Sequence, residues 1–127
     1  MGLVNPNTVL IVEDEVAVRE LLAQFLRDEG FDIEEAQDGL EAIDALNRHR
    51  PPSQALCVVL LDMMLPHADG VQVLHHLTTI GGYVPVVAMS ASRERLVDAT
   101  GAGAQATIAK PFDLDQMLAV VTNSCLR

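Results

Sequence analysis

Basic residues are scarce in this chain: 8 Lys and Arg stand against 18 Asp and Glu over 127 residues, a net charge of −10. Direct binding to nucleic acid or to an anionic membrane surface draws on clustered Lys and Arg. Neither is expected as a partner; other proteins and small cations are. Long apolar runs are missing too. Nothing approaches the roughly 20 apolar residues that span a bilayer, and no basic segment followed by an apolar one opens the chain, so the expected location is the cytoplasm. Met1-Gly2 would suit N-myristoylation, but Pro6 stands where that signal wants Ser or Thr. Cysteine is limited to Cys57 and Cys125, whose spacing matches no metal or redox motif. Both are read as small reduced core residues in a reducing compartment. Repeats, linkers and low-complexity stretches are absent, which leaves one domain, residues 8–125, after a short flexible lead-in at 1–7.

What is present is an alternation of two periodicities. The run Ala55–Leu61 is continuously apolar, as strands buried on both faces are, and Thr8–Val12, apolar after its first residue, reads as a second buried strand. Val84–Met89 and Ala106–Ala109 read as two more strands, with Pro85 tolerated near a strand start, and Phe31–Ala36 fits an edge strand. Between them, apolar residues recur at helical spacing: Val18, Leu21, Leu22, Phe25 and Leu26, closed by Gly30; Leu40, Ile43 and Leu46, closed by Pro51-Pro52; Val73, Leu74, Leu77 and Ile80, closed by Gly81-Gly82; a short helix near Arg93–Thr100; and Leu114, Met117, Leu118 and Val121. Five strands alternating with five helices imply right-handed crossovers and an α/β fold, a parallel sheet between helical layers.

In such a sheet the carboxyl ends of the strands share one rim, where ligands bind. Here they end on Glu13 and Asp14, on Asp62, on Ser90 and on Lys110. Carboxylates brought together repel by roughly 4 kcal/mol per pair at ~4 Å in a protein-like dielectric, so a counterion is expected. Hard oxygen ligands in this number suit Mg2+. An Asp beside a divalent cation, an ammonium and a hydroxyl is equipped to attack a phosphoryl group in line and become an aspartyl phosphate. Single-residue alternatives stay open: Asp62 as the cap of a turn through Asx bonding, and Ser90 as a helix N-cap. His49, His67, His75 and His76 are read as solvated. Gly101, Gly103 and Ala106 have the spacing of a dinucleotide fingerprint but precede a strand, and are read as a turn.

Val12-Glu13-Asp14, the block Asp62-Met63-Met64-Leu65-Pro66 closed by Asp69-Gly70, Ser90-Ala91, and Lys110-Pro111-Phe112 stand in order along nearly the whole chain. Together they resemble the receiver domains of two-component response regulators. The resemblance implies a single doubly wound, flavodoxin-like fold with strand order 2-1-3-4-5, and a signalling switch rather than an enzyme, catalysing only its own phosphorylation and dephosphorylation. It implies that Asp62 accepts a phosphoryl group from a histidine kinase or histidine phosphotransfer protein. Mg2+ would be held by Asp14, by Glu13 mostly through water, by Asp62 and by the backbone carbonyl of Met64. Ser90 and Lys110, the latter before a cis Lys110-Pro111 bond, would engage the phosphoryl group. A downstream protein would read the change on the fourth helix, fifth strand and fifth helix, with the chain a monomer or a weak phosphorylation-dependent dimer.

Two features depart from that pattern. Thr107 occupies the position, three before the lysine, where receivers of this kind usually place Tyr or Phe, and the stretch from Ser90 to Lys110 is slightly short, which predicts a trimmed or irregular fourth helix. The alternatives are a receiver fold that docks without switching and a haloacid-dehalogenase-like phosphatase. The second needs an Asp two positions after its nucleophile, and here that position is Met64.

Overall fold

The computed structural model describes residues 7–49, 56–65, 69–80 and 84–125. The elements are β1 (Thr8–Val12), α1 (Val16–Asp28), β2 (Asp32–Ala36), α2 (Gly39–Arg48), β3 (Leu56–Asp62), α3 (Gly70–Ile80), β4 (Val86–Ser90), α4 (Arg93–Gly101), β5 (Ala106–Ala109) and α5 (Leu114–Cys125). Expectations resting on residues 1–6, Pro51-Pro52, Ala55, Pro66, His67, Gly81-Gly82 and the Ile80 side chain fall outside what is described.

The strands form one parallel sheet in the order β2-β1-β3-β4-β5. All seven residues of β3, the central strand, are buried, which is why it reads as an unbroken apolar run. Alternate side chains point to opposite faces. Leu10, Val59, Leu61 and Ala88 join one core with Ala42, Leu46, Leu74, Leu77 and Ala99 from α2, α3 and α4. Val9, Ile11, Val58, Leu60 and Met89 join a second with Leu22, Leu26, Met117 and Val121 from α1 and α5. Each fully buried Leu contributes on the order of 2 kcal/mol over an exposed one, so the two cores clamp the sheet between helical layers. No described helix is long and apolar enough to cross a membrane.

The edge strand β2 is weakly alternating because charged side chains line both of its faces, Glu34 toward α2 and Glu35 toward α1. Glu34 pairs with Arg48 and His49, and Glu35 with Arg19 and Arg27. His49 is therefore a hydrogen-bond partner of Glu34 rather than a solvated side chain. Gly30, at φ +99°, ends α1 in the left-handed region, with Gly30 N–H donating to the Arg27 carbonyl and Phe31 N–H to that of Leu26. This is the doubly bonded cap expected of a glycine there.

Several expectations shift. Pro85, which cannot donate to the ladder, precedes β4 instead of lying inside it. Leu21 and Leu40, read as core-facing, are 56% and 77% exposed, because the buried face of α1 runs through Leu22, Ala23 and Leu26 and that of α2 through Ala42, Ala45 and Leu46. α4 is short, as expected, and regular over 9 residues. The largest correction concerns Cys57 and Cys125, which are joined in a disulfide. Two cysteines 68 residues apart give no local signal of pairing; the tertiary fold brings their Cα atoms to 5.0 Å. They give no support to a reducing compartment.

Candidate functional site

The rim is built by extending the ladder just past the strands. Glu13 N–H donates to the Ala36 carbonyl, Met63 N–H to Met89 and Lys110 N–H to Ser90, so the residues that close each strand stay in register. Asp62 is the last residue of β3 and Ser90 the last of β4; both are buried, as is Glu13, while Asp14 is exposed. Carboxylate oxygens of Glu13, Asp14 and Asp62 lie within 4.8 Å of one another. Lys110 reaches over from the end of β5, and its Nζ donates to Glu13 Oε1 at 2.8 Å and to Asp62 Oδ2 at 3.3 Å. The Lys110–Pro111 bond is cis.

The other Asp62 oxygen, Oδ1, accepts from Met64 N–H at 2.9 Å. The Asx bond considered from the sequence is therefore present, and it orients the carboxylate without using up its lone pairs. The N-cap of α4 is Ser92, whose Oγ accepts from Arg95 N–H at 3.2 Å. Ser90 Oγ instead accepts from Ser92 N–H at 3.0 Å, so its own proton stays available to donate. Met64 is 58% exposed at the mouth of the site, two residues past Asp62.

Electrostatics follow from this crowding. Burial, with the neighbouring Asp62 carboxylate adding to it, pushes the Glu13 carboxyl up to about 7, against the opposing pull of Lys110. Burial alone would lower Lys110, but its bond to Glu13 and the charge of Asp62 outweigh that and raise it, so the ammonium is retained. A rim with three oxygen donors, an excess of negative charge and no thiolate or imidazole among them suits a hard divalent cation.

Two supporting residues escaped sequence reading. Arg19, on α1, donates from Nη1 to the Glu13 carbonyl at 2.8 Å and from Nε to Glu35 Oε1 at 3.1 Å, tying the turn that carries Glu13 and Asp14 to the edge strand. Its charge and helical spacing looked like any surface Arg. Gly70, named from the sequence only as closing the block that begins at Asp62, is packed so closely that a Cβ there would lie 2.5 Å from the Met63 carbonyl oxygen. Asp69 Oδ1 accepts from Val71 N–H at 2.8 Å and faces Arg95 Nη1 at 3.3 Å, linking the β3–α3 connection to α4.

The sequence profile of the response regulator receiver domain matches residues 9–122. The chain belongs to this family. Response regulator MprA of Mycobacterium sp. (strain KMS) is 38% identical over 116 residues, covering 90% of this chain and 48% of that protein; the receiver thus spans about half the length of the curated relatives it matches. The receiver domain of NtrX from Brucella abortus is 33% identical with a TM-score of 0.83, over 92% of this chain and 97% of that one. Response regulator TrrA from Thermotoga maritima, solved in complex with Mg2+–BeF, is 25% identical with a TM-score of 0.82, over 93% and 98%. In this receiver Thr107 sits exposed on β5, paired with Ala88 of β4, and no ring occupies that place.

Proposed function

We propose that this receiver is a phosphorylation switch in which Asp62 takes a phosphoryl group from a phosphohistidine on a histidine kinase or phosphotransfer protein. The observation that carries it is the contact of Lys110 Nζ with both Glu13 and Asp62, inside a cluster of three carboxylates. An Asp62 oxygen attacks phosphorus in line, and the P–N bond breaks with its electron pair returning to the imidazole. Lys110 faces the charge gathering on the phosphoryl oxygens, and the Ser90 hydroxyl donates to one of them. Asp14, Asp62 and the Met64 carbonyl, with Glu13 mostly through water, would hold Mg2+, which would supply further neutralisation of those oxygens. The dianionic product draws Ser90 and Lys110 toward it and biases an equilibrium between two conformers, read by a downstream protein on α4, β5 and α5.

A docking place for the donor is supported beside the rim, where a groove of about 450 Å3 runs from Lys110 along Val18, Leu21, Leu22, Phe112 and Leu114. Acetyl phosphate with Mg2+ should label the protein, and Asp62→Asn should not be labelled; labelling that persists would place the acceptor elsewhere. Leu21→Gln should slow transfer from a protein donor while leaving acetyl phosphate labelling intact. The second reading, docking without switching, is favoured by Thr107. A beryllofluoride titration followed by amide NMR separates the two: shifts that reach α4 and α5 support the switch, and shifts confined to the Asp62 rim support the docking module.

A further inference from the structure

The disulfide lies at the opposite end of β3 from Asp62, and a defect in the sheet makes it possible. Thr8 pairs with Leu56 and Val9 with Val58, so Cys57 is an extra residue with no partner on β1. A bulge of this kind re-aims side chains. Along a regular strand Cys57 and Val58 would face opposite layers; here both join the core beneath α1 and α5, while Leu56 and Val59 join the other. The bulge thus turns Cys57 toward α5, where Cys125, in the last turn, packs on the same core. Cys57 is only 7% exposed, whereas Cys125 is half-buried, so an incoming thiolate reaches the Cys125 sulfur first.

We propose that Cys57 and Cys125 form a reversible redox site, a second input that fastens or frees the carboxyl end of α5. In reduction, a thiolate of a dithiol reductant attacks Cys125 Sγ. The S–S bond breaks, and Cys57 leaves as a thiolate and takes up a proton. The reductant's second thiolate then displaces Cys125, so that two electrons pass to the protein and the reductant ends as a disulfide. Oxidation runs the same exchange with a low-molecular-weight disulfide, which leaves as two thiols. Upstream of the cross-link, α5 remains seated through Met117 and Val121. Reduction therefore loosens the last turn without dissolving the core, as a local opening with its own low free energy. Because the bond closes 68 residues, its loss also returns chain entropy to the unfolded state, seen as a fall in Tm on the order of 10 °C.

The test compares unphosphorylated protein, oxidised and after dithiothreitol, by thiol alkylation and amide hydrogen exchange. Native protein should be reduced with its sheet still protected, exchange in 119–125 should rise roughly tenfold, and oxidised glutathione should restore the original pattern. Cys125→Ser should show the fast α5 pattern in both conditions. A bond that yields only on unfolding, or α5 exchange that is the same in both redox states, would overturn the proposal. None of these readouts depends on whether Asp62 is phosphorylated, so failure here is distinct from failure of the switch reading.

Discussion

At the scale of single residues, the site is a set of charges whose placement and turnover depend on neighbours outside the rim. Met64 presents a thioether where water would approach an aspartyl phosphate. An amide there can orient that water through one hydrogen bond worth about 1 kcal/mol, so Met64→Asn should speed loss of the phosphoryl group ~5-fold, followed as decay of labelled protein; an equal or slower rate would count against it. Arg19 acts through the backbone, since its charged bond to the Glu13 carbonyl is short and partly buried. Arg19→Ala should weaken Mg2+ binding roughly 10-fold, from a lost charged hydrogen bond of about 1.5 kcal/mol. Arg19→Lys should recover part of this, since Lys lacks the fork that reaches Glu13 and Glu35 together. Calorimetric Mg2+ titration measures both, and unchanged affinity in Arg19→Ala would remove the positioning role.

At the scale of elements, the connection leaving β3 decides where Met63 and Met64 sit. Gly70 opens α3 against the Met63 backbone, and a methyl group there meets main-chain atoms that cannot swing aside. Gly70→Ala should therefore cost about 1–3 kcal/mol, seen as a lower Tm and displaced amide resonances at Met63–Leu65. Gly101→Ala is the control: a Cβ there meets nothing within 4 Å, and Ala in a helix gains about 0.5–1 kcal/mol over Gly. Most elements were legible because each alternation of period leaves many residues as witnesses. Leu21 and Leu40 misled because helical spacing identifies a stripe but not its centre, and the buried stripe here runs through the alanines Ala23, Ala42 and Ala45 instead. Pro85 shortened β4 for a reason already contained in its missing N–H.

For the molecule as a whole, β2 is an edge whose stability is tied to charge. Burial would raise the Glu34 carboxyl, but hydrogen bonds from Arg48 and His49 outweigh it and hold it below its ordinary value of 4.5. Since the folded state lowers this group, its contribution is present above 4.5 and is lost as pH falls through the folded value. The stability gap between the native protein and Glu34→Gln, about 1 kcal/mol for a partly exposed pair, should therefore be full near neutrality and close on the acid side. Urea melts across that range measure it; a gap independent of pH would show that packing, not charge, is at stake.

The sequence by itself determined the order of strands and helices and the residue that closes each strand, because periodicity and strand length are local properties of the chain. With them came the rim of Glu13, Asp14, Asp62, Ser90 and Lys110, since a parallel sheet sends every strand's carboxyl end to one side. Only the tertiary structure decided which oxygens Lys110 touches, that Arg19 steadies Glu13, that Gly70 needs to lack a side chain, and that Cys57 meets Cys125. These rest on distances between residues far apart in the chain, and on a bulge that turns one side chain to the other face of the sheet, and neither leaves a mark in local pattern.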